Sequence, residues 1–74
     1  MLNESGNFEL VNKEEIVFGL IYYYRDFLSK QYEPIIFYKK EATNKSVKYH
    51  FYDILKNDVD WVLEVGFIYI YKAK

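Results

Sequence analysis

The sequence predicts an α+β domain in which one long amphipathic helix packs on an antiparallel sheet of three or four strands. Residues 12–32 carry apolar side chains at helical spacing, and residues 35–71 alternate as strands do. Residues 7–11 form either a first edge strand or a tethered arm, since so short an apolar stretch fits both. The expected order is strand, helix, strand, strand, strand. A chain of 74 residues has room for one core, so residues 1–74 are expected to form a single domain.

Composition points to binding. Hydrophobic residues make up 51% of the chain and aromatic residues 22%, with nine tyrosines, six phenylalanines and one tryptophan. Some of these rings are expected to stay near the surface, because the interior of so small a domain is limited. Tyrosine and tryptophan are enriched at binding hot spots. The chain has no cysteine, which excludes disulfides and thiolate metal sites and favours a reducing compartment.

The predicted helix has a clear start and end. Asn12 is a candidate N-cap, with Glu15 three residues later in the manner of a capping box, so the helix should begin at Lys13. It should end near residues 31–32, because Pro34 disfavours helical geometry at the residue before it. The expected core-facing stripe consists of Ile16, Leu20, Tyr23, Tyr24, Phe27 and Gln31.

Strand signals begin after the helix. Residues 35–40 and 47–52 are β-rich segments around a polar turn at 42–45, which predicts a β-hairpin. An acidic connection at 53–60 should lead to the longest strand, at 61–71. Side chains alternate between the two faces in the second arm of the hairpin. The core face is expected to carry Val47, Tyr49 and Phe51. The outer face is expected to carry Lys48, His50 and Tyr52.

The outer side of the predicted helix offers a partner-binding site. Phe18, Tyr22 and Arg25 would fall together there, and aromatic side chains beside an arginine are typical of interface anchors. The alternative interpretation is that another part of the domain, or a second copy of it, covers this side.

The hairpin suggests a different partner. Its basic and aromatic side chains resemble a surface that stacks bases and contacts phosphates: Tyr38, Lys40, Lys48, His50 and Tyr52. Lysines on exposed strands also serve to block aggregation. The whole chain has one arginine and a net charge of −1, so nucleic-acid binding is the less favoured alternative.

Acidic residues gather in the connection before the last strand. Asp58 and Asp60 could share a hard cation, but the segment lacks the central glycine and final glutamate of an EF-hand loop. A solvated turn is favoured, and no metal is predicted. The two aspartates are instead expected to meet a basic surface on a partner.

Catalytic residues are hard to find. His50 is the only histidine, no serine stands in a nucleophile-elbow motif, and no glycine-rich loop could hold a phosphate. The sequence therefore predicts neither an enzyme nor a cofactor.

These observations favour a small protein-binding regulator or inhibitor that acts by occupying a surface of a larger macromolecule, with self-association as a homodimer also considered. Residues 1–6 carry no secretory signal pattern and no apolar run reaches membrane-spanning length, so a cytoplasmic location is expected. The Lys-, Asn-, Ile- and Tyr-rich composition suggests a phage or mobile-element origin.

Overall fold

The chain forms a six-stranded antiparallel sheet with no long helix, so the prediction of an α+β domain is wrong. A computed structural model describes residues 5–74. The strands run in the order β1-β6-β2-β3-β4-β5 across the sheet. They are β1 (Phe8–Leu10), β2 (Ile21–Arg25), β3 (Tyr32–Ala42), β4 (Val47–Asp53), β5 (Asp58–Leu63) and β6 (Ile70–Ala73). Helical geometry in the described residues is confined to 3-10 segments at Ser5–Asn7, Lys13–Glu15 and Glu64–Tyr69.

The predicted helix is replaced by a 3-10 turn, a loop and β2. Asn12 makes no side-chain capping bond, and Gly19 has a φ of +93°, which an α-helix does not accommodate. The segment is also rich in β-branched and aromatic residues, which favour strands. Both faces of β2 are apolar, because Tyr22 and Tyr23 point to opposite sides of the sheet. A strand that is apolar on both faces shows no alternation of apolar and polar residues. Its sequence can therefore match the apolar spacing expected of a helix.

A tight turn joins β2 to β3 where the helix was expected to continue. The Asp26 carboxylate accepts hydrogen bonds from the backbone N–H groups of Leu28 (2.8 Å) and Ser29 (3.3 Å). Lys30 takes a φ of +59°, which completes the reversal, and the Asp26 N–H donates to the Gln31 carbonyl. The chain therefore turns back within the six residues 26–31.

The larger core lies on one side of the sheet, which we call the inner face. Phe37 of β3 is fully buried at its centre. Its ring contacts those of Phe51 at 5.7 Å, Phe67 at 5.8 Å, Tyr22 at 6.1 Å and Tyr49 at 6.4 Å between centroids. Phe67 comes from the 3-10 helix Glu64–Tyr69, which divides the predicted long strand at 61–71 into β5 and β6.

A second aromatic cluster lies on the opposite side, the outer face. Phe8 stacks on Tyr32 at 4.1 Å and meets Tyr23 edge-on at 4.9 Å, and Tyr71 contacts Tyr32 at 5.1 Å. These rings come from four different strands. Phe8 belongs to β1, which pairs with β6, so the segment at 7–11 contains an edge strand.

The hairpin prediction is confirmed. β3 and β4 pair around a turn in which the Thr43 N–H donates to the Ser46 carbonyl. Tyr49 and Phe51 are buried on the inner face, while Lys48, His50 and Tyr52 point to the outer face, as predicted. An irregularity between Phe37 and Lys39 shifts the register by one residue.

None of the helices found in residues 5–74 has the length and apolar character needed to cross a membrane. The expected lack of a secretory signal depends partly on residues 1–4, which lie outside the described residues. The cytoplasmic location stays a prediction.

The role of Phe37 predicts a large loss of stability on truncation. Phe37→Ala should lower the free energy of unfolding by about 3–5 kcal/mol, because it removes a fully buried ring and leaves a cavity. Urea denaturation followed by circular dichroism measures this change. Phe27→Ala is the matched control, since Phe27 is 69% exposed and its truncation should have little effect. Equal losses in the two variants would contradict the assignment of the core.

The β2–β3 turn predicts a pH-dependent stability. Backbone N–H groups of Leu28 and Ser29 lower the pKa of Asp26 below its ordinary value of 3.8. The carboxylate therefore stabilises the fold above pH 3.8, and this contribution is lost as the pH falls through the lowered pKa. Asp26→Ala should be less stable than wild type at neutral pH, and the difference should shrink in acid.

Asp26→Asn serves as the control for this turn, since it keeps an oxygen acceptor but has no carboxylate to titrate. Thermal denaturation of the three proteins over a range of pH values measures the effect. A difference between wild type and Asp26→Ala that stays constant into strong acid would contradict the assigned role.

Candidate binding surface

The residues predicted to form a partner site on the helix do not share a surface. Phe18 lies in the loop before β2 and is 42% exposed, whereas Tyr22 is buried on the inner face and its hydroxyl accepts the Val17 N–H at 2.9 Å. Arg25 projects from the outer face, with its guanidinium 6.0 Å from the centre of the Tyr32 ring. Strand geometry sends neighbouring side chains to opposite faces, so the grouping expected on a helix is lost.

Four of the five residues predicted for nucleic-acid binding do lie together. Tyr38, Lys48, His50 and Tyr52 are on the outer face of β3 and β4, where the Tyr38 and His50 rings are 6.3 Å apart. Lys40 is the exception, because it pairs with Tyr49 and lies over that ring on the inner face, at 5.9 Å.

Strand β5 adds a residue that sequence reasoning missed. Trp61 pairs with His50 across β4 and β5 and is 45% exposed on the outer face. Its alternation with Val62 was visible in the sequence, but its position beside the hairpin depends on the β4–β5 register. That register follows from a four-residue turn after Asp53, which the sequence pattern did not define.

These strands present an apolar surface that we call the open patch. Ile21, Ile36, Tyr52 and Val59 stand directly opposite one another on β2, β3, β4 and β5. The next row toward the hairpin turn carries Tyr38, His50 and Trp61. Val59, Ile21 and Tyr38 are each at least half exposed, at 58%, 52% and 50%. Contiguous apolar surface of this kind marks interaction sites.

Charges of both signs surround the open patch. The Lys48 ammonium lies 4.5 Å from the centre of the Trp61 ring, a cation–π contact, and Lys39 is exposed in the same row as His50. Glu41 also lies here, 3.0 Å from the His50 Nε2. The hydrogen bond from His50 lowers the pKa of the Glu41 carboxyl. The patch therefore combines exposed rings with two lysines and the paired carboxylate of Glu41, and Asp60 borders it beside Trp61.

Acidic side chains gather in a groove on the other side of the sheet. Its acidic side chains are Asp26, Glu33, Asp53, Asp58 and Asp60, with Lys56 beside them, and the groove reaches Val59 and Trp61 of the open patch at β5. Burial and a hydrogen bond with Asp53 raise the pKa of the Glu33 carboxyl, and the charge of Glu33 in turn raises the pKa of Lys56. Among residues 5–74, no group of three or more His, Asp or Glu side chains is arranged to hold a metal ion.

Asp58 and Asp60 occupy β5 rather than a solvated turn. Each carboxylate accepts a hydrogen bond from the backbone N–H of the following residue, Val59 or Trp61, at 2.8 Å. Their predicted contact with a basic partner stays a prediction.

No protein-family model matches the chain, and no curated protein or solved structure is significantly similar to it.

The exposure of Tyr38 and Trp61 predicts that neither ring is needed for folding. Tyr38→Ala and Trp61→Ala should each lower the free energy of unfolding by less than about 1 kcal/mol, since half-exposed side chains leave no cavity. Tyr22→Ala is the comparison at a buried position. It should lower the free energy of unfolding several times more, because Tyr22 packs in the core. Chemical denaturation measures the free energy of unfolding of the three variants and of wild type. Large losses at Tyr38 or Trp61 would remove the basis for treating the patch as a functional surface.

Proposed function

We propose that this chain is a small binding protein that acts by covering the surface of a partner protein, as a regulator or inhibitor. The observation that carries the proposal is the open patch. Large apolar side chains from β2, β3 and β5 stay exposed there, and no other part of the described chain, residues 5–74, covers Val59, Tyr38 or Trp61.

The composition of the patch favours a protein partner. Ile21 and Ile36 stand side by side, and Tyr52 and Val59 continue this row, so it complements another apolar surface. The rigid rings beside it offer large contact area at low entropic cost. The lysines at its border suit carboxylates at the rim of the partner's site. A chain that binds in this way changes its partner's activity by occupying the surface. The phage or mobile-element origin remains a prediction from composition.

Removing two rings from the patch should abolish this binding. A Tyr38→Ala, Trp61→Ala double variant should bind its partner at least about tenfold more weakly, since aromatic anchors commonly contribute that much each. The partner is first captured by wild-type protein carrying a photo-cross-linker at Val59, which lies in the patch. Affinity for that partner is then measured by calorimetry.

A Phe27→Ala, Leu28→Ala variant is the matched control. It removes the same number of exposed apolar side chains, 69% and 87% exposed, from the β2–β3 turn. Unchanged affinity in the patch variant, or an equal loss in the control, would refute the proposed surface.

Single-stranded nucleic acid is the second candidate partner, favoured by one arrangement. Tyr38, His50 and Trp61 form a row of rings, and Lys48 lies against the last of them. Bases stack on such rings while lysines contact phosphates. The acidic groove also includes Val59 and Trp61, so the carboxylates of Asp58 and Asp60 lie close to this row and weaken its attraction for phosphates.

A fluorescence-polarisation titration separates the two candidates. Labelled oligo-dT and oligo-U are titrated with wild-type protein, the patch double variant and Lys48→Ala at two salt concentrations. Binding that falls steeply with salt, is lost in the double variant and has a smaller salt slope in Lys48→Ala would establish the second candidate. No saturable binding at low salt would exclude it.

A further inference from the structure

The open patch contains a small pocket between aromatic side chains. Tyr38, His50, Val59 and Trp61 line a cavity of about 200 Å³, which Asp60 borders. The side chain of His50 is only 18% exposed, and its ring lies 6.3 Å from that of Tyr38. Because β4 runs between β3 and β5, His50 lies between the more exposed rings of Tyr38 and Trp61. The pocket therefore has aromatic walls and room for one compact ring.

Two hydrogen-bond donors belong to the rings of this pocket. The Tyr38 hydroxyl and the Trp61 indole N–H make no hydrogen bond within residues 5–74. An indole N–H donates only, so its partner has to be an acceptor such as a carbonyl oxygen. The pocket therefore suits a ligand that brings unpaired carbonyl groups.

The positive charges at the pocket lie on the side of the hairpin turn. The Lys48 ammonium is 4.5 Å from the centre of the Trp61 ring, and Lys39 is exposed beside Tyr38. Glu41 stands opposite Lys48 on β3, but its carboxylate is bonded to His50 instead. Within residues 5–74, neither lysine forms an ion pair. A ligand with an acidic residue on this side complements the two lysines.

A polyproline II segment has the backbone and the spacing that this surface accommodates. It makes no internal hydrogen bonds, so its carbonyl groups are available to the two donors. Residues three apart lie on the same side of it and repeat every 9 Å or so, that is, about 9.3 Å. Neighbouring strands are about 4.8 Å apart, so one turn spans two strand spacings. When one proline lies over β4, the next therefore lies over β2, where Ile21 is exposed beside Ile36.

Backbone pairing at the adjacent edge of the sheet is a poorer alternative. β5 ends the sheet, and no strand in the described part of the chain pairs with its other side. The Val59 and Trp61 N–H groups are held at 2.8 Å by the carboxylates of Asp58 and Asp60. A β-strand ligand would have to replace both bonds, whereas a polyproline II ligand needs neither N–H group.

We propose that the open patch binds a proline-rich segment of the partner protein in the polyproline II conformation. One proline ring occupies the pocket between Tyr38 and Trp61, and an acidic residue of the segment faces Lys48. This inference rests on the proposed function and names the chemical class of the segment that the patch recognises.

Synthetic peptides test the inference directly. A labelled peptide of Pro-Pro-Glu repeats places prolines on two edges of a polyproline II helix and glutamates on the third. It should bind saturably and change the fluorescence of Trp61, the only tryptophan of the chain. A peptide of Ala-Ala-Glu repeats has the same charge but no preformed polyproline II conformation, and should bind at least about tenfold more weakly. Pro-Pro-Lys repeats should also bind more weakly, because Lys39 and Lys48 repel them.

Variants show where the peptide binds. Trp61→Ala should weaken binding of the Pro-Pro-Glu peptide at least about tenfold, measured by polarisation of the peptide label. Lys48→Glu should reverse the preference between the Pro-Pro-Glu and Pro-Pro-Lys peptides. The Phe27→Ala, Leu28→Ala variant is the matched control and should bind like wild type. Circular dichroism checks that every variant is folded.

Several results would overturn the inference. Absence of saturable binding would do so, as would equal affinity for the Ala-Ala-Glu peptide or unchanged binding by both Trp61→Ala and Lys48→Glu. Binding of labelled oligo-dT without binding of the peptide would assign the patch to nucleic acid.

The partner captured through the cross-linker at Val59 separates this inference from the proposed function. Displacement of that partner by the Pro-Pro-Glu peptide would support both. A partner that requires Tyr38 and Trp61 but is not displaced by the peptide would support the proposed function and refute the proline-rich segment.

Discussion

Packing of rings around Phe37 is the interaction on which the rest of the structure depends. Phe37 sits on β3 in the middle of the sheet, and the rings that enclose it come from β2, β4 and the 3-10 helix Glu64–Tyr69. Because the described sheet has no long helix packed on it, this 3-10 helix is the segment that brings a ring down onto the inner face. The same 3-10 helix separates β5 from β6.

The open patch is the part of the outer face that neither aromatic cluster covers. The inner face is closed around Phe37, and the outer face is closed at its other end by Phe8, Tyr23, Tyr32 and Tyr71. Within residues 5–74, no segment lies over Tyr38, Val59 and Trp61 on the outer side of β3, β4 and β5. The exposure of Trp61 is compatible with folding, since the two aromatic clusters elsewhere supply buried area.

Part of this arrangement could be predicted from the sequence. The hairpin was found because β3 and β4 flank a polar turn and β4 alternates clearly, with Tyr49 and Phe51 facing in and His50 facing out. The surplus of exposed rings was also predicted, from chain length and composition.

The helix prediction failed where that alternation disappears. β2 carries apolar side chains on both faces, since Tyr22 enters one aromatic cluster and Tyr23 the other. Periodicity cannot distinguish such a strand from part of a buried helix. Gly19 and the β-branched residues around it were the available contrary signals. The site built on the helix failed with it, because Phe18, Tyr22 and Arg25 are neighbours only at helical spacing.

The patch and the β5 edge together favour one mode of recognition. Strand addition uses backbone hydrogen bonds, which any extended chain can make. An open strand edge beside an apolar face would therefore bind extended segments with little selectivity. With the Val59 and Trp61 N–H groups held by their own strand, a partner has to recognise the side chains of the outer face. Side-chain recognition depends on shape and on the placement of lysines such as Lys48, and these features distinguish one partner from another.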